Sequence, residues 1–227
     1  FHHFKIKTMK KLLLILLYLP MIGFGQPTVN IPDANFKAYL VGNSLINTNG
    51  DAEIQVSEAT VFNGNISCNG NISDLTGIEA FTALTDLFCY NNQLTSLDVS
   101  NNTALTSLIC SYNQLTSLDV SGATALTHLD CEQNQLTTLD VSQNTALASL
   151  GCSGNQLTSL DVTQNTALTH LQCNNNQLTT LDVSQNTDLI ILYCGNNQLT
   201  TLDVSQNTDS LTDLKCENNQ LTTLDVT

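Results

Sequence analysis

The spacing of the cysteines constrains the fold of this chain more than any other feature. Six intervals of 21 residues and a final interval of 22 separate the eight cysteines, which are Cys68, Cys89, Cys110, Cys131, Cys152, Cys173, Cys194 and Cys216. A fixed period of this length is typical of solenoids, in which each unit buries its apolar face only against its neighbours. We therefore predict a repeat solenoid over residues 62–227.

The pattern within one unit predicts a single β-strand per coil. In the stretch from Asp86 to Tyr90, the apolar Leu87 and Cys89 alternate with residues that vary between units. Such alternation is typical of a half-buried strand. Because each coil supplies one strand, the strands are expected to form a parallel sheet. The absence of Trp and an aromatic content of only 5% suit a core that repeats one aliphatic layer.

The unit has the form Leu-x-x-Leu-x-Cys-x-x-Asn-x-Leu, and seven copies run from Leu84 to the end of the chain. This motif resembles the leucine-rich-repeat signature, with Cys where Leu often lies. The stretch from Asn71 to Ile78 resembles bacterial internalin repeats, and a closer likeness is to secreted leucine-rich-repeat proteins of Gram-negative bacteria that use the type IX route. The resemblance implies a right-handed coil with a parallel β-sheet on its concave face and a small α-helical N-terminal cap.

Two columns of side chains are expected to be structural. Stacked cysteines lie about 4.8 Å apart on parallel strands, whereas a disulfide needs Cβ atoms near 3.8 Å, so we predict buried thiols. A zinc site is not favoured either, because the sequence contains no Cys-x-x-Cys pair. A buried Asn after each strand can satisfy both N–H and C=O groups of the turn. The predicted ladders are Cys89, Cys110, Cys131, Cys152, Cys173 and Cys194, and Asn92, Asn113, Asn134, Asn155, Asn176 and Asn197.

The first 25 residues are predicted to lie outside the fold. From Met9, the expected start, a basic pair and a short apolar run lead to small residues, which is typical of a secretory signal peptide cleaved after Gly25. A membrane anchor is the alternative. We expect three parts: residues 1–25, an N-terminal cap over 26–61, and repeats over 62–227. Since the chain ends inside a repeat, a longer native protein is expected.

Charge narrows the range of partners. The whole chain has a formal net charge of −14, and outside the first 25 residues only Lys37 and Lys215 oppose all 20 acidic residues, which gives −18. Such a surface repels nucleic acid and anionic lipid. It favours cationic or uncharged partners.

Calcium is the one cofactor with candidate ligands. Residues 47–58 resemble an EF-hand loop, with oxygen donors at Asn47, Asn49, Asp51 and Glu58, although Asn47 replaces the leading Asp and Ala52 the usual Gly. A helix over 33–41, stopped by Gly42, precedes it. We favour a structural cap over a calcium site. In the Asp98 column, local hydrogen bonds are likewise favoured over calcium.

Variation between units points to the functional surface. The ladder positions hardly change, whereas residues on the outer face of the strands and in the following turn do, and exposed aromatic residues there are typical of binding hot spots. Random drift is the alternative, as is a metal site at His128, Asp130 and Glu132. The predicted partner-binding residues are Asp86, Phe88, Tyr90, Ile109, Tyr112, His128, Asp130, Glu132, His170, Gln172, Ile191 and Tyr193.

These features favour a binding function over catalysis. The sequence offers no Ser/His/Asp or Cys/His arrangement and no phosphate-binding loop, so no enzyme activity is predicted. We predict a secreted or cell-surface module that binds a protein or glycan on its concave face, for example in adhesion. The alternative is a passive spacer, or the N-terminal scaffold of a larger surface protein.

Overall fold

The computed structural model describes residues 26–225, in which an eight-stranded parallel sheet follows one side of a solenoid. Each coil contributes one strand of three residues, because the next residues must turn to close the coil. The strands are β1 (Asn65–Ser67), β2 (Asp86–Phe88), β4 (Ser107–Ile109), β6 (His128–Asp130), β7 (Ser149–Gly151), β8 (His170–Gln172), β9 (Ile191–Tyr193) and β11 (Asp213–Lys215), in that order across the sheet.

The return side of the solenoid is less regular. Strand β3 (Ser96–Asp98) pairs with β5 (Ser117–Asp119), and β10 (Thr201–Asp203) pairs with β12 (Thr223–Asp225), both in parallel. A 3₁₀ turn at Ile78–Ala80 completes the first coil. The architecture is a parallel-sheet solenoid of about eight turns, which confirms the predicted leucine-rich-repeat coil.

The core is a stack of nearly identical aliphatic layers. In the coil that starts at Leu84, the buried side chains are Leu84, Leu87, Cys89, Leu94, Leu97 and Val99. A layer of this kind has no second layer within its own coil to pack against. Its burial therefore depends on the coils above and below, and stability arises from contacts between neighbours.

The cysteines lie in this core as free thiols. Seven of them are buried, whereas Cys216 is only partly buried. Burial raises the pKa of Cys68 and that of Cys194 to about 12, because a thiolate loses its hydration in an apolar core. The thiols therefore act as small apolar side chains and are poor nucleophiles at neutral pH.

The asparagines that follow the strands form what we call the turn ladder. Asn155 illustrates it: its Nδ2 donates to the carbonyl oxygens of Cys131 and Cys152, both at 3.0 Å, and its Oδ1 accepts from the N–H of Leu136 at 3.0 Å. One side chain thus links two successive coils. Equivalent bonds are made by Asn92, Asn113, Asn134, Asn176, Asn197 and Asn219.

A second asparagine column, which we call the return ladder, was missed by the sequence analysis. Its members are fully buried on the other side of the coil: Asn102, Asn144, Asn165, Asn186 and Asn207. The Nδ2 of Asn165 donates to the carbonyls of Val141 and Asn144, both at 2.9 Å. Unlike the turn ladder, all five side chains leave Oδ1 without a hydrogen-bond partner.

The N-terminal cap packs helix α1 (Ala34–Gly42) against the first coil. Asp33 begins this helix by accepting from the N–H groups of Asn35 and Phe36, and its second oxygen accepts from the N–H and hydroxyl of Ser73. One carboxylate therefore caps the helix and joins it to the repeats. The helix extends through Gly42, which was predicted to stop it, and ends at Asn43.

The loop that resembles an EF-hand is held by its own side chains. Glu58, in the single-turn helix α2 (Val56–Ala59), accepts from the N–H and hydroxyl of Thr48 and from the N–H groups of Asn49 and Gln55. Burial raises the pKa of Glu58, but these hydrogen bonds outweigh it and the net pKa is lowered. Asn47 donates to the carbonyls of Val41 and Asp51.

Candidate functional site: the outer face of the sheet

The outer face of the eight-stranded sheet, here called the sheet face, brings the predicted binding residues into columns. The strands pair in register, so that the first residues of successive strands are neighbours, as are the third residues. The first column is Asp86, Ser107, His128, Ser149, His170, Ile191 and Asp213, and the second is Phe88, Ile109, Asp130, Gly151, Gln172, Tyr193 and Lys215.

An apolar and aromatic area lies at the N-terminal end of the sheet face. Phe88 and Ile109 are register partners and half-buried. Tyr90 follows β2 and is 41% exposed, and Tyr112 follows β4 and is 62% exposed. Aromatic side chains in a folded domain normally bury most of their surface, so these two are available for contact with a partner.

Tyr112 also adopts an uncommon backbone conformation. Its φ is 55°, in the left-handed region, which L-residues other than Gly and Asn enter at a cost. The same turn position holds Asn91, Asn175, Asn196 and Asn218 in other coils, all with positive φ. Tyr112, like Gln133 in the next coil, therefore occupies at a local cost a turn position where Asn is more common.

At the other end of the sheet face, Tyr193 is less available than the sequence suggested. The Nζ of Lys215 lies 3.8 Å from the centroid of the tyrosine ring, and the tyrosine hydroxyl donates to Asp213. The ring is therefore engaged within the chain on one face and at its hydroxyl. Any role of Tyr193 in binding would require it to act together with these two neighbours.

The sequence analysis missed Ile190, which is 39% exposed beside Ile191. Threonine occupies this position in most coils, and its hydroxyl donates to the backbone of the preceding coil, as Thr106 does to the carbonyl of Thr85. An isoleucine loses that hydrogen bond and exposes apolar surface instead. The departure from threonine was visible in the sequence and marks Ile190 as a further contact candidate.

A polar cavity of about 170 Å³ lies at the centre of the sheet face, lined by His128, Asp130, Glu132, Ser149, Leu150, Gly151 and Gln172. His170 lies outside this lining, and its Nδ1 is 2.8 Å from the hydroxyl of Thr169. Within residues 26–225 no group of three or more His, Cys, Asp or Glu side chains is arranged to hold a metal ion. Of the predicted residues of the central coils, His128, Asp130, Glu132 and Gln172 thus line one cavity.

The return side carries the column of exposed aspartates. From Asp98 to Asp203 each side chain of the column accepts from the backbone N–H two residues later, as Asp140 does from that of Ser142 at 2.9 Å. Hydrogen bonds from Ser121 lower the pKa of Asp119, and hydrogen bonds from Thr163 lower the pKa of Asp161. Local hydrogen bonding therefore stabilises the charged form of these carboxylates.

Comparisons with known proteins agree with this geometry. Residues 103–144 match the family model described as Leucine Rich repeats (2 copies). The chain is a leucine-rich-repeat protein, and its structural neighbours are internalin-like. A search of curated protein sequences gave no match.

One similar structure is the functional domain of InlJ from Listeria monocytogenes, which includes a cysteine ladder. The identity is 39% and the TM-score 0.66, with 89% of this chain and 51% of that domain covered. This chain thus spans about half the length of that domain. Internalin C2 from the same organism shares the fold at 21% identity and a TM-score of 0.74, covering 88% of this chain and 91% of that one. A leucine-rich-repeat protein of Leptospira interrogans matches at 25% identity and a TM-score of 0.60, covering 68% and 46%.

None of the helices within residues 26–225 is long and apolar enough to cross a bilayer. The predicted signal peptide lies outside the described residues.

Proposed function

We propose that this chain is a secreted or cell-surface module that binds a protein partner through the sheet face, in the manner of an adhesin. Leucine-rich-repeat folds of this kind are generally non-enzymatic protein-interaction scaffolds. The observation that carries the proposal is the pair of exposed rings, Tyr90 and Tyr112, on a face whose backbone is fixed by ladders on both sides. Rigid aromatic side chains lose little entropy on binding and often dominate interface energies.

The return side supports the same assignment by contrast. Its exposed positions repeat Ser, Thr, Gln and Asp in coil after coil, while no two of the seven coils from Leu84 onward have the same pair of residues in the two columns of the sheet face. A surface that serves only solubility has no need of tyrosine in a strained turn. The apolar stretch after Met9 supports export of the chain, by the argument made from its sequence.

The test is a binding screen of the purified chain against arrays of surface proteins and of glycans. A Tyr90→Ala/Tyr112→Ala variant is compared with Leu45→Ala/Val61→Ala, which removes apolar side chains that are still more exposed and lie outside the sheet face. We expect a protein partner whose affinity falls at least about tenfold in the tyrosine variant and is unchanged in the control.

Other results would redirect the proposal. Binding to glycans alone would replace the protein partner with a carbohydrate. Equal losses in both variants would move the binding surface away from the sheet face. A folded chain that binds nothing on either array would favour a passive spacer, a role for which the repetition of the coils is sufficient.

A further inference from the structure

The central cavity of the sheet face exists because one coil lacks a side chain. In the second column, the neighbours of Gly151 are Asp130 and Gln172, both of which project side chains from the sheet. Gly151 is buried in β7 and does not have a positive φ, so its backbone does not require glycine. A Cβ at this position would lie 3.1 Å from Oε1 and 3.3 Å from Cγ of Glu132, which extends over the gap.

The walls of this cavity carry negative charge at short range. Glu132 is half-buried, and burial raises its pKa, with the charge of Asp130 raising it further against a hydrogen bond from Ser153. One oxygen of Asp130 accepts from the N–H of Glu132 at 3.0 Å. Asp130 is half-buried as well, and because its charge acts unfavourably on Glu132, a nearby cation would stabilise both carboxylates.

Neither lysine of the described residues lies in the lining of this cavity. Lysine is the only permanently charged basic residue between positions 26 and 225, and it occurs there twice. Lys37 pairs with Glu53 at 2.7 Å in the N-terminal cap, and Lys215 lies over the ring of Tyr193. Apart from His128, which lines the cavity itself, a positive charge at this place would have to come from another molecule.

We propose that the cavity over Gly151 is an anchor site for a cationic side chain of the protein partner, with arginine preferred over lysine. This inference rests on the proposed function. A planar guanidinium has five donors, enough for both carboxylates and for the side-chain oxygen of Gln172, whereas an ammonium has three. The volume of about 170 Å³ equals several water molecules and admits such a head group with part of its stem.

The site predicts a direction of pH dependence. Binding of a cation is favoured while Glu132 is ionised, so affinity is full above its raised pKa in the free protein. It falls as the pH drops through that pKa and Glu132 takes up a proton. The other titratable side chains that line the cavity with Glu132 are Asp130 and His128. On the return side, hydrogen bonds lower the pKa of Asp140 and that of Asp161, so these two carboxylates would lose their charge at a lower pH.

The experiment is an NMR titration of the chain with N-acetyl-arginine methylamide, with the neutral citrulline analogue as the matched probe. We expect a saturable shift of the Gly151 amide with arginine only. Glu132→Gln should weaken binding about tenfold, because it removes a charge-assisted hydrogen bond. Gly151→Val places a side chain against Glu132, whose Oε1 would lie 3.1 Å from the new Cβ, and should abolish the shift at neighbouring residues. Phe88 and Ile109 in the same column show that the sheet accepts large side chains in other coils. Glu217→Gln, on the same face but outside the cavity, should change nothing.

The result can be separated from that of the proposed function. Equal shifts with arginine and citrulline, no saturable shift at Gly151, or an equal loss in Glu217→Gln would overturn the anchor site. A partner found by the binding screen that binds Gly151→Val as well as the native chain would also overturn it, while leaving the sheet face as the binding surface.

Discussion

The two asparagine ladders should contribute differently to the free energy of unfolding, because only the turn ladder accepts hydrogen bonds from backbone N–H groups. Asn155→Ala removes the acceptor of the Leu136 N–H and leaves that donor buried without a partner, besides taking the donor away from the carbonyls of Cys131 and Cys152. An orphaned buried group costs about 1–3 kcal/mol, and each lost hydrogen bond about 0.5–1.5 kcal/mol. We expect a loss of about 4 kcal/mol in the free energy of unfolding.

Asn165→Ala should cost much less, although its side chain is buried more completely than that of Asn155. It removes two donated hydrogen bonds but leaves no carbonyl without a partner, because the carbonyls of Val141 and Asn144 also accept from the backbone. No N–H loses a partner, because Oδ1 of Asn165 accepts no hydrogen bond. The substitution also removes an amide oxygen that has no partner. The expected loss is about 1 kcal/mol. One coil already has Ala123 at this position and packs it without the amide.

Urea denaturation followed by circular dichroism measures both losses, with the exposed Gln156→Ala as a control expected within about 0.5 kcal/mol of the native chain. The reasoning depends on the difference between the ladders rather than on either value. Equal losses for Asn155→Ala and Asn165→Ala, or a larger loss for the second, would mean that the count of orphaned groups does not govern the stability of the coils.

Three further predictions follow from the geometry. Glu58→Gln should lower the free energy of unfolding by about 2 kcal/mol at neutral pH, since hydrogen bonds to a charged acceptor are lost. Because the folded pKa of Glu58 is lowered, its stabilisation is present above its ordinary pKa of 4.5 and is lost as the pH falls through the lowered value, so native and variant denaturation curves should converge in acid. Gly122→Ala should cost about 3 kcal/mol, read from the thermal midpoint, because its Cβ would lie 1.8 Å from the carbonyl oxygen of Ser100; an unchanged midpoint would refute that contact. In the native chain at pH 8, a thiol reagent should modify Cys216 first and the seven buried thiols only after unfolding; several fast thiols would contradict the core.

Much of the fold could be predicted because every coil has to bury the same set of apolar side chains against its neighbours. The 21-residue period and the alternation around Cys89 were enough to specify a parallel sheet with one strand per coil. The return ladder was missed for a physical reason. Asn102 lies in the polar stretch Ser100–Thr103, which reads as an exposed turn, and only closure of the coil against the preceding one buries its amide.

The candidate site was less predictable than the fold, because it depends on contacts between side chains. The order of columns on the sheet face followed from the period, and the exposure of Tyr90 and Tyr112 agrees with their expected positions. The engagement of Tyr193 by Lys215 depends on how two long side chains bend across adjacent strands. The pattern of residue types does not indicate such a contact. The ring of Tyr193, which the sequence suggested was free, is therefore partly covered by Lys215.

The solenoid separates stability from recognition, and the separation explains where variation is tolerated. Inward side chains and ladder amides hold the coils together, so a change on the sheet face alters the surface without removing a ladder hydrogen bond. Stability and recognition are not fully separated where the side chain of a glutamate covers a glycine of an adjacent coil. A Cβ at Gly195 would lie 2.9 Å from Oε1 of Glu217, as one at Gly151 would lie 3.1 Å from Oε1 of Glu132. At these two places the residues of adjacent coils constrain each other, so the shape of the sheet face is set by pairs of residues rather than by single substitutions.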